Sequence, residues 1–357
     1  MKKTVAMVLA ASMAVSLAAC GGSSSSSTTA AAAESTTAAA AETTAAASEG
    51  KEADSSAAAS SAETDWPKNN ITIIVPFNAG GDTDFHARNL ADYLGKILGV
   101  NVVVSNVAGA NGSTGMYQVM DAEPDGYTCL FFHDSMLTNK IVGVAQDSYE
   151  NLDPVAATIV DNSYVMAVNS KSEYKTMDDI VNAAKANPGK ILYASSVGGY
   201  SYFLGRQLEE SQGIDFNIVD AGGGTDRNAA LLAQKIDTNV NPYGVMKSYF
   251  DSGDFTALCN IAEERNPLFP DVPTAKEQGY DWTAERHYFL SFPKGTDQAI
   301  IDKMQDAIEQ VCSNEEFIKK TEDAYCVTPK FMGRDELLKT LDEETKMFEE
   351  NKDLIQN

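Results

Sequence analysis

Basic residues are scarce in this sequence. It contains 27 Lys and Arg against 51 Asp and Glu, so the formal net charge of its 357 residues is −24. A chain this acidic has little attraction for nucleic acid or for an anionic membrane surface, and we expect neither as an electrostatic partner. The same charge disfavours long-range attraction of an anionic ligand. Any anion that binds here must therefore be held by local dipoles.

The usual catalytic and metal-binding patterns are missing as well. The three histidines, His86, His133 and His287, have a spacing that matches no known ligand motif, and there is no Cys-x-x-Cys pair. We expect His86 on the surface of a helix. The sequence also lacks a Gly-x-Ser-x-Gly elbow, a Walker lysine and a complete dinucleotide-binding fingerprint. We therefore expect no metal, no cofactor and no covalent chemistry, and a surface hydrolase is the weaker alternative.

The apolar run at the N-terminus is too short for a stable transmembrane helix. Lys2 and Lys3 precede the run at residues 4–14, and the segment ends in Leu-Ala-Ala-Cys at Cys20. A positive start and a short apolar core are typical of a signal peptide. The ending resembles the bacterial lipoprotein signal, so we expect residues 1–20 to be removed and Cys20 to carry a diacylglyceryl group. A plain cleaved signal with an incidental cysteine is the alternative.

Residues 21–65 are dominated by Ser, Thr, Ala and Glu. Their only apolar residues are alanines, so this segment cannot bury enough surface to fold. We predict a disordered tether that holds the rest of the chain off a membrane. With a lipid on Cys20, the protein would lie at the outer face of the cytoplasmic membrane, on the cell surface or in the periplasm, attached through that lipid alone.

From about residue 66 onward, short apolar runs alternate with amphipathic helical patterns, which is typical of an α/β fold. The run at residues 71–75 is followed by Gly80-Gly81 and then by a helix with one apolar face. The glycines let the backbone approach a bound group, and the free N–H groups of the first helical turn favour a small anion. The same strand, glycine-rich turn and helix recur around residues 195–202 and 222–227. In open parallel sheets, ligands bind where such turns lie.

Several segments, in order, carry a family resemblance. The first reads VPFNAGGDTDFHARNLADYLGKILGVNVVVSNVAGANGSTG and is followed by PDGYT, and later segments read KANPGK, YASS and DVPTAKEQG. From about residue 66 to its end, the chain resembles the substrate-binding receptors of tripartite tricarboxylate transporters, the TctC or Bug family. Several motifs that match in order are far more specific than any single glycine loop.

The resemblance implies a two-lobed periplasmic-binding-protein fold of type II, with a ligand cleft between the lobes. We expect lobe 1 at residues 66–168 and 287–357, and lobe 2 at residues 169–286. In this family a small carboxylate lies between the lobes, held largely by backbone N–H groups and ordered waters. The implied function is that of a monomeric receptor that delivers a di- or tricarboxylate, or a similar organic acid, to the membrane permease subunits of a transporter. A sensor for an amino acid or another organic acid, not coupled to transport, is the alternative.

The cleft loops and nearby aromatic residues supply the expected ligand contacts. The predicted ligand-binding residues are Phe77, Asn78, Gly80, Gly81, Asp82, Thr83, Asp84, His133, Asp134, Ser196, Gly198, Gly199, Tyr200, Tyr202, Gly224, Thr225, Arg227 and Tyr243. Arg227 departs from the family's common pattern: it either grips a second carboxylate or pairs with Asp226 or faces solvent. Tyr200, Tyr202 and Tyr243 either contact the ligand or belong to the core between the lobes.

Acidic residues in these loops leave the ligand class open. Asp82, Asp84 and Asp134 could together face an ammonium group, which would make a zwitterionic amino acid plausible beside a plain carboxylate. The alternative for each is a helix cap, which is the commoner role of Asp before a helix.

Four cysteines follow Cys20 in the chain. Cys129 and Cys259 lie in apolar runs and are most simply explained as small buried hydrophobic residues. Cys312 and Cys326 flank a short helical segment, and in an oxidising compartment the sequence leaves a disulfide between them open.

Overall fold

The computed structural model describes residues 65–356, except for the side chain of Ile355. The predicted signal peptide, the lipidation site at Cys20 and the predicted tether up to residue 64 lie outside the described residues. Within the described range, no helix has both the length and the apolar character that a membrane crossing requires.

Strands and helices alternate through this range, as the sequence pattern predicts. The strands are β1 (Ile71–Val75), β2 (Val102–Asn106), β3 (Thr128–His133), β4 (Leu152–Asp161), β5 (Tyr164–Asn169), β6 (Leu192–Ser195), β7 (Asn217–Asp220), β8 (Thr238–Pro242), β9 (Phe255–Asn260) and β10 (Arg286–Pro293). The helices are α1 (Asp82–Leu98), α2 (Ser113–Met120), α3 (Ser135–Ile141), α4 (Met177–Ala186), α5 (Tyr200–Gln212), α6 (Gly224–Leu232), α7 (Tyr243–Asp251), α8 (Gln298–Cys312), α9 (Glu315–Tyr325), α10 (Arg334–Glu350) and α11 (Lys352–Gln356).

The strands form two five-stranded sheets with the same arrangement. The first has the order β2-β1-β3-β10-β4 and the second the order β7-β6-β8-β5-β9. In each sheet, the first three strands are parallel, and the fourth is antiparallel to both of its neighbours. Both sheets therefore present the carboxyl ends of parallel strands, the edge at which open α/β sheets bind ligands.

The chain crosses from the first sheet to the second between β4 and β5, and it returns between β9 and β10. This confirms the predicted α/β, two-lobed fold. The predicted lobe boundary after residue 168 falls within β5, whose residues pair with β8 and β9 of the second sheet. The strand pairing thus moves the crossing point a few residues towards the N-terminus.

Helix α10 connects the two halves of the core. It contacts β4 of the first sheet, and its buried Phe348 meets Phe203 of α5 edge-on, with ring centroids 4.8 Å apart. Leu337 and Leu341 of α10 are fully buried in the same cluster as β-strand residues of both sheets. Helix α10 is therefore part of the scaffold, because its apolar face is buried against the first sheet and against α5.

The disulfide that the sequence left open is not formed. Cys312 and Cys326 are free thiols, like the other two cysteines of the described range. Cys312 ends α8 and packs in the cluster under the first sheet, where its Sγ lies 3.8 Å from the carbonyl oxygen of Thr158. Cys326 follows α9 and packs in a different cluster, with residues of the second sheet. The two thiols are separated because each is buried against a different part of the core.

The expectation that His86 lies on the helix surface is wrong, because the side chain is buried. It is 2% exposed, and neither ring nitrogen makes a hydrogen bond. Its ring lies among aromatic rings, with centroids 5.1 Å from those of Tyr288 and Tyr325. Burial lowers the pKa of His86 to about 4, against a smaller opposing effect of the Asp82 carboxylate. The imidazole is therefore neutral in the folded protein at neutral pH.

This environment predicts an acid-sensitive contribution to stability. A histidine in an unfolded chain has a pKa of about 6.5. Below that pH, His86 is protonated in the unfolded chain but stays neutral in the folded one. The contribution of His86 is complete above pH 6.5 and is lost as the pH falls towards 4. Between pH 7 and pH 5 it should remove about 2 kcal/mol of unfolding free energy. Urea unfolding at the two pH values should show a smaller loss for His86→Leu than for the parent protein; equal losses would contradict the assignment.

Candidate functional site

A cavity of about 450 Å³ lies between loops of the two sheets. From the first sheet, its walls include Phe77 after β1 and Ser135 after β3. From the second sheet, they include Ser196 after β6, Gly222 after β7 and Pro242 at the end of β8. The cavity therefore sits at the carboxyl ends of the parallel strands of both sheets, where the topology favours a ligand.

Three glycine pairs shape the cavity wall in the same way. The pairs are Gly80-Gly81, Gly198-Gly199 and Gly222-Gly223. The first glycine of each pair has a left-handed φ, of 87°, 78° and 75° respectively, which other residues rarely adopt. The second glycine is extended and is the N-cap of α1, α5 or α6. We call these three pairs the glycine turns.

At each glycine turn, the N-cap residue of the following helix provides no side-chain hydrogen bond to the first N–H groups of that helix. Glycine has no side chain, and no side-chain cap is formed at these three positions. First-turn residues of all three helices line the cavity, including Thr83 of α1, Ser201 of α5 and Thr225 of α6. The first N–H groups of a helix have no partner within it, and they carry the positive end of the helix dipole. Three such ends around one cavity make a site for an anion.

Arg286, at the start of β10, is the central charged side chain of the cavity wall. Its guanidinium donates to the hydroxyl of Tyr164 and, over 2.8 Å, to the Oγ of Ser135. It also lies 3.6 Å from the carboxylate of Asp82. Arg286 belongs to the first sheet and Tyr164 to the second, so this one side chain joins the two sheets beside the cavity.

The Asp82 carboxylate is already neutralised by its neighbours. It accepts a hydrogen bond from the Tyr288 hydroxyl and faces Arg286. Burial alone would raise the pKa of Asp82, but Arg286 and then Tyr288 outweigh it and hold that pKa below its ordinary value. Asp82 is therefore ionised and paired, and it does not offer a free negative charge to a ligand.

Arg227 neither faces solvent nor pairs with Asp226, and its grip on a second carboxylate of a ligand stays a prediction. It is 7% exposed, and within the described range no carboxylate lies within 4.0 Å of its guanidinium. Instead it donates to the carbonyl oxygens of Gly222, at 2.9 Å, and Val240, and to the side chain of Asn241. Arg227 thus fixes the third glycine turn from behind, and its positive charge lies in the cavity wall without an acidic partner.

Twelve of the predicted ligand-binding residues line the cavity. They are Phe77, Asn78, Gly81, Asp82, Thr83, His133, Ser196, Gly199, Tyr200, Gly224, Thr225 and Arg227. Their contact with a ligand stays a prediction. Of the remaining six, Gly80 and Gly198 set the glycine turns.

The other four predicted residues have internal partners. Asp84 accepts from the N–H of Gly80 at 2.9 Å and is held by neighbouring side chains. Asp134 accepts from the N–H of His287 at 2.8 Å. Tyr243 stacks on an aromatic ring of the second-sheet core, and Tyr202 packs against the main hydrophobic cluster. These four residues do not line the cavity, because each side chain is held by hydrogen bonds or by packing within the protein.

Sequence reasoning missed two parts of the wall. Arg286 immediately precedes residue 287, where we expected the chain to return to lobe 1. The available signal was a charged residue at the start of a buried strand, where it needs a partner. The second part is the segment 108–112, which lines the cavity and contains Asn111 with a left-handed φ of 49°. Its glycine-rich composition was visible, but nothing in the sequence placed it opposite the second sheet.

The Arg286–Asp82 pair predicts a strong coupling. Arg286→Met should lower the unfolding free energy by about 1–3 kcal/mol, because it leaves a partly buried carboxylate without its cation. In combination with Asp82→Asn, the loss should be smaller than the sum of the two single losses by about 1 kcal/mol or more. A urea-unfolding double-mutant cycle measures this coupling. Additive losses would show that the two side chains stabilise the fold independently.

Comparison with known proteins agrees with this architecture. The family model described as "Tripartite tricarboxylate transporter family receptor" matches residues 86–356. The "UPF0065 protein in gbd 5'region" of Cupriavidus necator is 31% identical over 69% of this chain and 75% of its own length. "Protein BugT" of Bordetella pertussis is 31% identical over 68% of this chain and 75% of its own. The solved structure of the periplasmic binding protein BugD has a TM-score of 0.73 at 25% identity, covering 80% of this chain and 97% of BugD. The chain therefore belongs to the tripartite tricarboxylate transporter receptor family, TctC, as its motifs predict.

Proposed function

We propose that this protein is an extracytoplasmic receptor that captures a small organic acid and delivers it to the permease subunits of a tripartite tricarboxylate transporter. The observation that carries the proposal is the convergence of three glycine turns, each opening a helix, on one cavity. A carboxylate at this point accepts hydrogen bonds from backbone N–H groups and gains from three helix dipoles. Such a site suits a protein whose net charge is −24.

A second carboxylate of the ligand is favoured near Arg227. This buried cation has no acidic partner within the described range, whereas Arg286 already faces Asp82. Its N–H groups are largely used by protein oxygens, so it attracts the ligand by charge rather than by a bidentate grip. A di- or tricarboxylate satisfies both the glycine turns and this charge.

A zwitterionic amino acid is less well supported than a plain acid. Of the three aspartates that were weighed as ammonium partners, Asp84 and Asp134 do not line the cavity. Asp82 does, but Arg286 and Tyr288 hold its carboxylate. An ammonium group would have to compete with that pair. A sensor of amino acids is therefore the second candidate.

Capture requires the two lobes to close on the ligand. The cavity walls come from both sheets, and the chain crosses between the sheets twice, so a rotation about these crossings opens or closes the site. Closure removes water and strengthens each N–H contact to the carboxylate. A lipid on Cys20 and the tether that follows it would keep the receptor, as a monomer, near its permease.

The proposal predicts a ligand-dependent melting temperature. The chain from Gly21 onward is screened against citrate, succinate, longer diacids, aromatic acids, aspartate and glutamate. An acid that binds only the folded state at 100 times its Kd should raise the unfolding free energy by about 2.7 kcal/mol. Stabilisation by a di- or tricarboxylate supports the receptor, stabilisation by amino acids alone supports the second candidate, and no stabilisation by any acid would contradict both.

A substitution in the first glycine turn tests where the ligand sits. Gly81 has a φ of −85° and a single contact for an added Cβ, at 3.8 Å from the Asn78 carbonyl oxygen, so Gly81→Val should fold. The valine side chain would crowd the first-turn N–H groups of α1 and reduce affinity by tenfold or more, which is about 1.4 kcal/mol. Calorimetric titration measures the change.

The matched control is Gly333→Val. Gly333 is also a helix N-cap with an extended backbone and a φ of −66°, and the nearest atoms to an added Cβ lie 3.8 Å away. It does not line the cavity. This variant should keep the parent affinity. Equal affinity in both variants would remove the first glycine turn from the site.

A further inference from the structure

We propose that Asp134, His287 and Glu344 bind a divalent transition-metal ion, such as Zn²⁺, behind the cavity wall. The three residues come from separate elements: Asp134 precedes α3, His287 lies in β10 and Glu344 lies in α10. None of them lines the cavity. The ion site is therefore separate from the ligand site. The two proposals are tested by independent measurements.

The geometry of the three side chains fits a metal ion. One ligand atom of each residue lies within 4.8 Å of the others. The Nδ1 of His287 is 2.8 Å from Oε1 of Glu344 and 3.6 Å from Oδ2 of Asp134. Bonds of about 2.0–2.2 Å from Zn²⁺ to nitrogen and oxygen place neighbouring ligand atoms roughly 3 Å apart. The observed separations are in this range.

The hydrogen bonding leaves one oxygen of each carboxylate unpartnered. Asp134 is fully buried, and its Oδ1 makes no hydrogen bond. The Oε2 of Glu344 makes none either. The Nδ1 of His287, in a side chain that is 6% exposed, lies against the other oxygen of each carboxylate, with which a protonated imidazole would pair in the absence of an ion. Buried polar atoms are nearly always partnered, so two unpartnered carboxylate oxygens beside one imidazole point to an ion between them.

Charge and donor type select the class of ion. An imidazole that binds an ion through Nδ1 is neutral, so the three side chains would then carry a charge of −2, which a divalent cation balances. An imidazole nitrogen with carboxylate oxygens favours Zn²⁺ and its transition-metal neighbours over Mg²⁺ and Ca²⁺, which prefer ligand sets made of oxygen. The side chain of Glu344 is 17% exposed, so the ion can enter from the α10 side. Three protein ligands leave a fourth position for water.

An ion bound at this point would connect to the cavity wall through the neighbours of its ligands. The residues next to two of its ligands, Ser135 and Arg286, are bonded to each other over 2.8 Å in the cavity wall. Asp134 also accepts from the backbone N–H of His287, which orients its carboxylate. An ion at this point would tie α10 to β10 and to the end of β3, directly behind Arg286. The spacing of the three ligands along the chain matches no motif, which is why the sequence predicted no metal.

The test begins with the purified, untagged full-length protein after removal of metal with EDTA. Titration calorimetry with Zn²⁺ alone should show one site per chain, and the melting temperature should rise with Zn²⁺ but not with Mg²⁺. Bound Co²⁺ should give visible absorption typical of a coordinated ion. Absence of stoichiometric Zn²⁺ binding in this protein would overturn the proposal, and this result does not depend on whether any variant folds.

Isosteric variants locate the ion. Glu344→Gln and Asp134→Asn should each weaken Zn²⁺ binding by more than the 10- to 100-fold that loss of an outer-shell partner typically costs. The matched control is Glu343→Gln, because Glu343 is the preceding residue on α10 and its side chain is 68% exposed. This control should bind like the parent protein. Unchanged Zn²⁺ affinity in the first two variants would place the ion elsewhere and overturn the assignment.

Discussion

The proposed function depends on holding an anion with backbone N–H groups rather than with free basic side chains. A protein with a net charge of −24 has few cations available, and the two arginines of the cavity wall are engaged by protein oxygens. The three glycine turns have the same geometry, and each directs the N–H groups of a helix start towards the cavity. In each, a left-handed glycine turns the chain and an extended glycine opens a helix towards the cavity. A β-carbon at the left-handed position would strain the backbone.

The sheet topology explains how three separate turns meet. Each sheet has parallel strands with their carboxyl ends at one edge, and the two edges share one cavity. Arg286, in β10 of the first sheet, joins the two sheets because it donates to the hydroxyl of Tyr164 in the second. Glu285, the residue before Arg286, accepts a hydrogen bond from the Tyr200 hydroxyl through its carbonyl oxygen, over 2.5 Å. The lobe crossing at β10 is thus also part of the cavity wall.

The sequence was sufficient for the backbone of the site and insufficient for its side chains. The glycine turns, the strand ends and the family could be predicted because they depend on local patterns and on ordered motifs. The roles of Arg227, Arg286 and Asp134 could not, because each is decided by partners distant along the chain. Asp134, for example, is bonded to His287, 153 residues away. The burial of His86 was missed for a related reason: its aromatic neighbours Tyr288 and Tyr325 come from the C-terminal part of the chain.

The most direct test of the central claim is a backbone amide NMR titration of the ¹⁵N-labelled, deuterated protein with the organic acid that stabilises it most. The account predicts large shifts for amides at the three helix starts, Gly81–Thr83, Gly199–Ser201 and Gly223–Thr225, at one common affinity. The amide of Gly333, at the start of α10, should not move. A carboxylate that binds without shifting amides at these three helix starts would contradict the account.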